Sequence, residues 1–275
     1  CTQALHWKTK EGLVRGCSCR GTAGFAHVSC LAVEATILRE EAEENNLGIK
    51  ALNERWSRWD ACSLCEQQYH GVVACALGWA CWKTYVARPE ADWARRLAMG
   101  VLGNGLSEAD NHEDALSVQE AKLSMMRRLG ASEQDLLRVQ NNLAAAYFAL
   151  GRDEEALQLK RDVYSGRVNM LGEEHEETLR AANNYANSLV DLERFEEAKA
   201  LLRRTIPVTR RVLGDSSRTT LAQRCSYAES LYEDPGATLD DLREAVTTLE
   251  EVERIARRVL GGTHPLTVDI ELELR

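Results

Sequence analysis

Along most of the chain, apolar residues recur every three or four positions, the spacing of helices that bury one face. Leu31, Ala35 and Leu38 predict a helix over residues 31–45, with Glu40, Glu41, Glu43 and Glu44 on its wet side and Asn45, Asn46 and Gly48 closing it. Val72–Val86 is apolar almost all round and predicts a buried helix that ends before Arg88-Pro89. Its apolar stretch, Gly71–Ala80, is too short to cross a bilayer, which takes about 20 residues. Residues 53–59 lead into a cysteine pair. Residues 1–30 hold turn formers and no long periodic segment.

From residue 91 the helical pattern itself repeats. Leu129-Gly130, Leu171-Gly172 and Leu213-Gly214 lie 42 residues apart, as do Asn141-Asn142 and Asn183-Asn184, and Glu154-Glu155-Ala156 and Glu196-Glu197-Ala198. Leu260-Gly261 follows after a longer interval, with the turn Asp234–Asp240 taking up the difference. A period of this size marks a helical solenoid. Each unit reads as a hairpin: helix A, for example 137–150, then helix B, 153–171, closed by Gly172. Four units are expected, at about 91–130, 137–172, 179–214 and 221–261. Small Ala156 and Ala198 fall where paired helices must touch. The fold class is therefore mainly α. These units resemble tetratricopeptide repeats of the kinesin light chain type, on the phrases LGEEHEETL (171–179), LGDSSRTTL (213–221) and LGGTHPLTV (260–268), the last with His264 and Pro265.

Composition sharpens this. Aromatics make up 6%, charged residues 28%, and there are only 4 Pro, as suits helices. Residues 1–90 balance their charges, so the net charge of −9 falls on residues 91–275. An acidic chain gives no support for nucleic-acid binding through phosphates. Eight of the nine Cys precede residue 82. In a chain of this length they point to metal binding in a reducing, intracellular and cytoplasmic setting rather than to disulfides.

Six of the soft donors come in three close pairs: Cys17-x-Cys19, His27-x-x-Cys30 and Cys62-x-x-Cys65, with Cys1 ahead of them. Zinc takes four such donors tetrahedrally, commonly as two close pairs. With Arg20-Gly21, Phe25-Ala-His27, Leu31, Trp56, Trp59 and Tyr69, the pattern resembles a RING-CH zinc finger. That resemblance implies interleaved pairs. Cys17, Cys19, Cys62 and Cys65 would hold one Zn2+. Cys1, His27 and Cys30 would hold a second, one donor short, with the missing donor expected just upstream of Cys1. Both sites would be structural. The resemblance also implies a ubiquitin ligase that positions a ubiquitin-conjugating enzyme and has no nucleophile of its own. Glu66-Gln67-Gln68 follow the last pair where such ligases place a proline and a basic residue, so a non-catalytic scaffold stands beside the ligase reading. The expected organisation is a finger over 1–70, a bridging helix over 71–90 and a repeat solenoid over 91–275.

A solenoid of hairpins lines its concave face with A helices. Register places Arg138 and Asn141 there, then Arg180, Asn183 and Asn187, with Arg95 before them and Cys225 and Glu229 after. Asn offers both a donor and an acceptor to a peptide backbone, and Arg favours carboxylates. The expected ligand is an acidic, extended peptide or protein segment. Ordinary readings cover the rest. Cys75 and Cys81 are packing residues, and Cys225 is a packing or groove residue. Trp56, Trp59, Trp79 and Trp82 belong to the core. His6 and His70 flank the finger as surface groups, with a substitute metal ligand as the alternative, and His112, His175 and His264 cap or solvate turns. No phosphate loop, dinucleotide glycine motif or elbow serine is present.

Overall fold

The structure, a computed structural model, describes Cys1, residues 3–261 and residues 265–274. His264 lies outside the described residues. The chain divides into two compact units, Cys1–Ser132 and Glu133–Arg275.

The first unit holds α1 (Val28–Glu44), α2 (Ile49–Trp56) with a single 3-10 turn at Ser57–Trp59, α3 (Gly71–Tyr85), α4 (Trp93–Glu108) and α5 (His112–Arg128). Among the described residues there is no strand. Isolated bridges join Leu5 to Gly12, Val14 to Ala26 and Ala61 to Gln68, and they fold the loops around the cysteine pairs.

Helix α3 ties this unit together. Val73 and Leu77 pack on Cys17, Cys62 and Tyr69. One and two turns on, Cys81 and Tyr85 enter a second cluster with Trp56, Trp59, Ala94 and Ala98. Glycines let α4 come close to α3: a Cβ on Gly105 would stand 2.5 Å from the Ala74 carbonyl oxygen. Although α3 is apolar all round, only one side is covered. Trp79 on the other side stays 42% exposed, so it is not the core residue its apolar surroundings suggest. All six tryptophans of the chain, at 7, 56, 59, 79, 82 and 93, fall in this unit.

Helix α1 buries Ala35, Arg39 and Ala42. Arg39 pairs with Glu43 at 2.5 Å and stacks over Trp93. Glu43 also receives both terminal nitrogens of Arg88, at 3.3 Å each. Glu43 is thus not part of a solvated acidic face, because two arginines reach it, one from beneath its own helix and one from beyond α3.

The second unit stacks the hairpins α6 (Glu133–Ala149) with α7 (Asp153–Leu171), α8 (Glu176–Asp191) with α9 (Phe195–Leu213) and α10 (Arg218–Tyr232) with α11 (Leu239–Val259), followed by α12 (Pro265–Glu273). One core runs through them, with Ala182, Ala198, Leu202, Leu221 and Ala228 fully buried. The Leu-Gly period has a backbone cause. Gly172 (φ 83°, ψ 167°) and Gly214 (φ 87°, ψ 161°) end α7 and α9 in a region that only glycine enters readily. Three residues after each of these glycines, the next helix is capped: His175 accepts from the Glu177 N–H and Ser217 from the Thr220 N–H.

Candidate functional site

Two places gather chemistry-bearing side chains, one in each unit.

In the first unit, two knuckles face each other. Cys17 and Cys19 stand on the loop ahead of α1, and Cys62 and Cys65 on the turn ahead of α3. The four sulfurs all lie within 4.8 Å of one another. Cys17 and Cys62 are buried and none of the four is in a disulfide. A Zn–S bond of about 2.3 Å in a tetrahedron puts the sulfurs about 3.8 Å apart. The Cys19–Cys62 separation is 3.8 Å. Electrostatics agree with a cation. Burial raises the Cys62 thiol, but the N–H groups of Cys65 and Leu64 together with hydrogen bonds from Cys17 and Cys19 outweigh it and hold that thiol at about 7. Burial, together with its three sulfur neighbours, pushes Cys19 up to about 12. So dense a set of thiols ionises together only around positive charge.

Cys1, His27 and Cys30 form the other group, again within 4.8 Å. His27 Nδ1 is 3.6 Å from Cys30 Sγ, the edge expected for one nitrogen and one sulfur on a tetrahedral zinc. His27 is 3% exposed, and its Nε2 has no hydrogen-bond partner. Two donor sets thus fit Zn2+, one with four donors and one with three. Filled by four protein donors, the first leaves no position for a reacting water, so the metal would hold the loops together rather than do chemistry.

In the second unit, two cavities open along the A helices. The smaller, about 190 Å³, is lined by Arg138, Asn141, Arg180 and Asn184, with Arg167 from α7 and Glu177 from the start of α8. The larger, about 630 Å³, is lined by Arg180, Asn183, Asn187, Arg218 and, from α12, Asp269. Arg138, Asn141, Arg180, Asn183 and Asn187 therefore all border these cavities. Arg95 does not: it lies in the first unit, where it donates to the Arg88 carbonyl at 2.8 Å and lies over Trp82. The asparagines divide in role. Asn141 Oδ1 accepts from Asn184 Nδ2 at 3.1 Å, and Asn187 Oδ1 from Ser226 Oγ at 2.7 Å, so these two also link neighbouring repeats. Asn183 Oδ1 is buried with no partner. Sequence register missed Arg218 and Asp269, because Arg218 stands in the repeat position that Glu176 fills one unit earlier.

Residues 136–177 and 178–218 match the tetratricopeptide repeat family model. The chain carries tetratricopeptide repeats. Solved structures show the same fold. The tetratricopeptide-like repeats of a kinesin-light-chain-type protein from Podosopora anserina share 19% identity, with 86% of this chain and 98% of that one covered and a TM-score of 0.55. BtubC (BKLC) from P. vanneervenii shares 15% identity over 90% and 82%, at 0.57. A Rap protein complexed with competence and sporulation factor shares 13% over 90% and 69%, at 0.50. At such identities the likeness shows the fold alone. No curated protein matches the chain. Among the described residues, no helix is long and apolar enough to cross a membrane.

Proposed function

We propose that the chain is a protein-interaction adaptor: a zinc-stabilised finger in the first unit, and tetratricopeptide repeats in the second that take an extended acidic segment. The observation that carries this is the run of Arg138, Asn141, Arg180, Asn183 and Asn187 along the two cavities. Guanidinium groups there suit carboxylates, and Asn183 keeps an unused acceptor for a backbone N–H. A Rap protein of similar fold is complexed with competence and sporulation factor.

Fluorescence polarisation with a labelled poly-aspartate peptide tests the groove. Arg180→Ala with Asn183→Ala should weaken binding roughly tenfold. Unchanged affinity rejects the reading. For the finger, elemental analysis of the purified protein should find zinc, and Cys17→Ser with Cys62→Ser should lower its content.

A ligase reading draws on the apolar side chains that the finger leaves in water, Leu5 at 57%, Trp7 at 72% and Leu64 at 69% exposure. Such groups suit docking of a ubiquitin-conjugating enzyme. Autoubiquitination with a panel of those enzymes decides it: no ubiquitin chains under any pairing leaves the scaffold.

A further inference from the structure

The groove of the second unit carries charges of both signs. On α8 one face runs from Arg180 in the second turn to Asp191 at the end. On α10 the matching face runs from Arg218 at the first position to Glu229 in the last turn. Helix α12 adds Glu273 at its own end. Arg180 and Arg218 thus stand toward the helix starts, with Glu176 and Glu177 in the first turn of α8 and Asp269 in the same cavity, while Asp191, Glu229 and Glu273 stand at the helix ends. In α10 this opposes the helix dipole, which favours acids at the start and bases at the end. Stability of the helix alone does not select such an order.

Arg180 pairs with Glu176 one turn back on its own helix, but three of the other charges are left without partners. Arg218, Glu229 and Glu273 make no ion pair among the described residues. Asp191, Glu229 and Glu273 approach from three helices, and the one cation influencing that group is Lys160, beside Asp191. Burial first, then the negative charge of Glu273, Asp191 and Glu233, pushes Glu229 up to about 7. On α8, between the two charged ends, Asn183 Oδ1 is buried and without a partner, an acceptor suited to a backbone N–H. Arg180, Asn183, Arg218 and Asp269 line one cavity of about 630 Å³.

An extended chain sends alternate side chains to opposite sides. A strand lying across the A helices would point one set toward the helix starts and the other toward the helix ends. We propose that the groove takes an extended segment of alternating charge, with acidic side chains toward Arg180 and Arg218 and lysine or arginine toward Glu229 and Glu273. This rests on the peptide-binding reading above and adds the second charge and the alternation.

The test uses the full chain and fluorescein-labelled octapeptides: alternating Asp and Lys, alternating Asp and Ser, and one with the Asp and Lys gathered in two blocks. The alternating Asp–Lys probe should bind roughly tenfold tighter than the other two. Glu229→Gln with Glu273→Gln should erase that advantage and leave the Asp–Ser affinity in place. Arg218→Ser should instead weaken both Asp-containing alternating probes, so the two ends are separable even if one variant folds poorly. Equal binding of Asp–Lys and Asp–Ser overturns this inference and leaves the acidic-peptide reading standing, as does equal binding of the block peptide. Failure of every probe overturns both.

Discussion

Arg39 is 1% exposed, and its guanidinium is held by the Glu43 carboxylate and the Trp93 ring. Removing one partner of a buried pair leaves the other charge stranded, typically at about 3 kcal/mol. Glu43→Ala should therefore destabilise the first unit by about that much in urea unfolding, while Glu40→Ala, on the exposed side, stays within about 0.5 kcal/mol. Glu229 gives a pH prediction. Its folded pKa of about 7 lies above the ordinary carboxyl value, so the folded state holds its proton more tightly than the unfolded chain does. Its contribution to stability is complete below the ordinary carboxyl pKa and is lost as pH rises through 7. Melting curves between pH 5 and 8 should show the second unit weakening with pH, and Glu229→Gln should flatten that slope, each kcal/mol recovered raising the melting temperature by about 2–4 °C. At this scale the sequence was legible where chemistry is local. The CxC, HxxC and CxxC spacings bring the donors together because each pair sits on one turn. Glu43, by contrast, looks like any acid in a charged run until Arg88, 45 residues away, is seen to reach it.

At the scale of elements, glycine sets two different limits. Gly105 lets α4 lie against the backbone of α3, and its replacement by alanine would drive a methyl into the Ala74 carbonyl. Gly105→Ala should cost about 1–3 kcal/mol and shift α3, visible in amide exchange, whereas Gly12→Ala, which meets open space, should change little. Gly214 also meets open space, so its limit is the backbone alone. Gly214→Ala should cost about 1–3 kcal/mol by forcing a side chain into φ 87°. That restriction is why the hairpins could be read from the Leu-Gly period, and helix B over 153–171 has the ends the period gives. Helix α2 escaped notice because its eight residues carry barely two turns of pattern. On α3, Trp79 misled because a wholly apolar helix does not show in its sequence which side is covered.

For the whole molecule, the division into two units, each with its own core, has consequences for metal removal. The four sulfurs sit within the cluster that packs on Val73 and Leu77, so the loops of the first unit lean on whatever holds the thiols together. Structural zinc contributes on the order of 10–16 kcal/mol in small peptides. A chelator should therefore loosen the first unit and leave the hairpins of the second intact: circular dichroism should keep most of its helical signal and its main thermal transition. Loss of both transitions together would mean that the hairpins depend on the metal too. The repeat architecture of the second unit was legible through α11 because neighbours reuse one register, whereas α12 lies past the last expected unit. What repetition hides is departure from it, and the unpaired Arg218 and Glu229 are such departures.

Indole is confined to one half of this polypeptide, while the tyrosines and phenylalanines from Glu133 onward supply only phenol and phenyl chromophores. Intrinsic emission excited at the red edge therefore comes from the half with the cysteine pairs alone. A partner that quenches or shifts this light must act on that half, directly or through its folding. A partner that changes the size of the complex and leaves the emission untouched is held by the hairpins, and no dye is needed to tell the two apart.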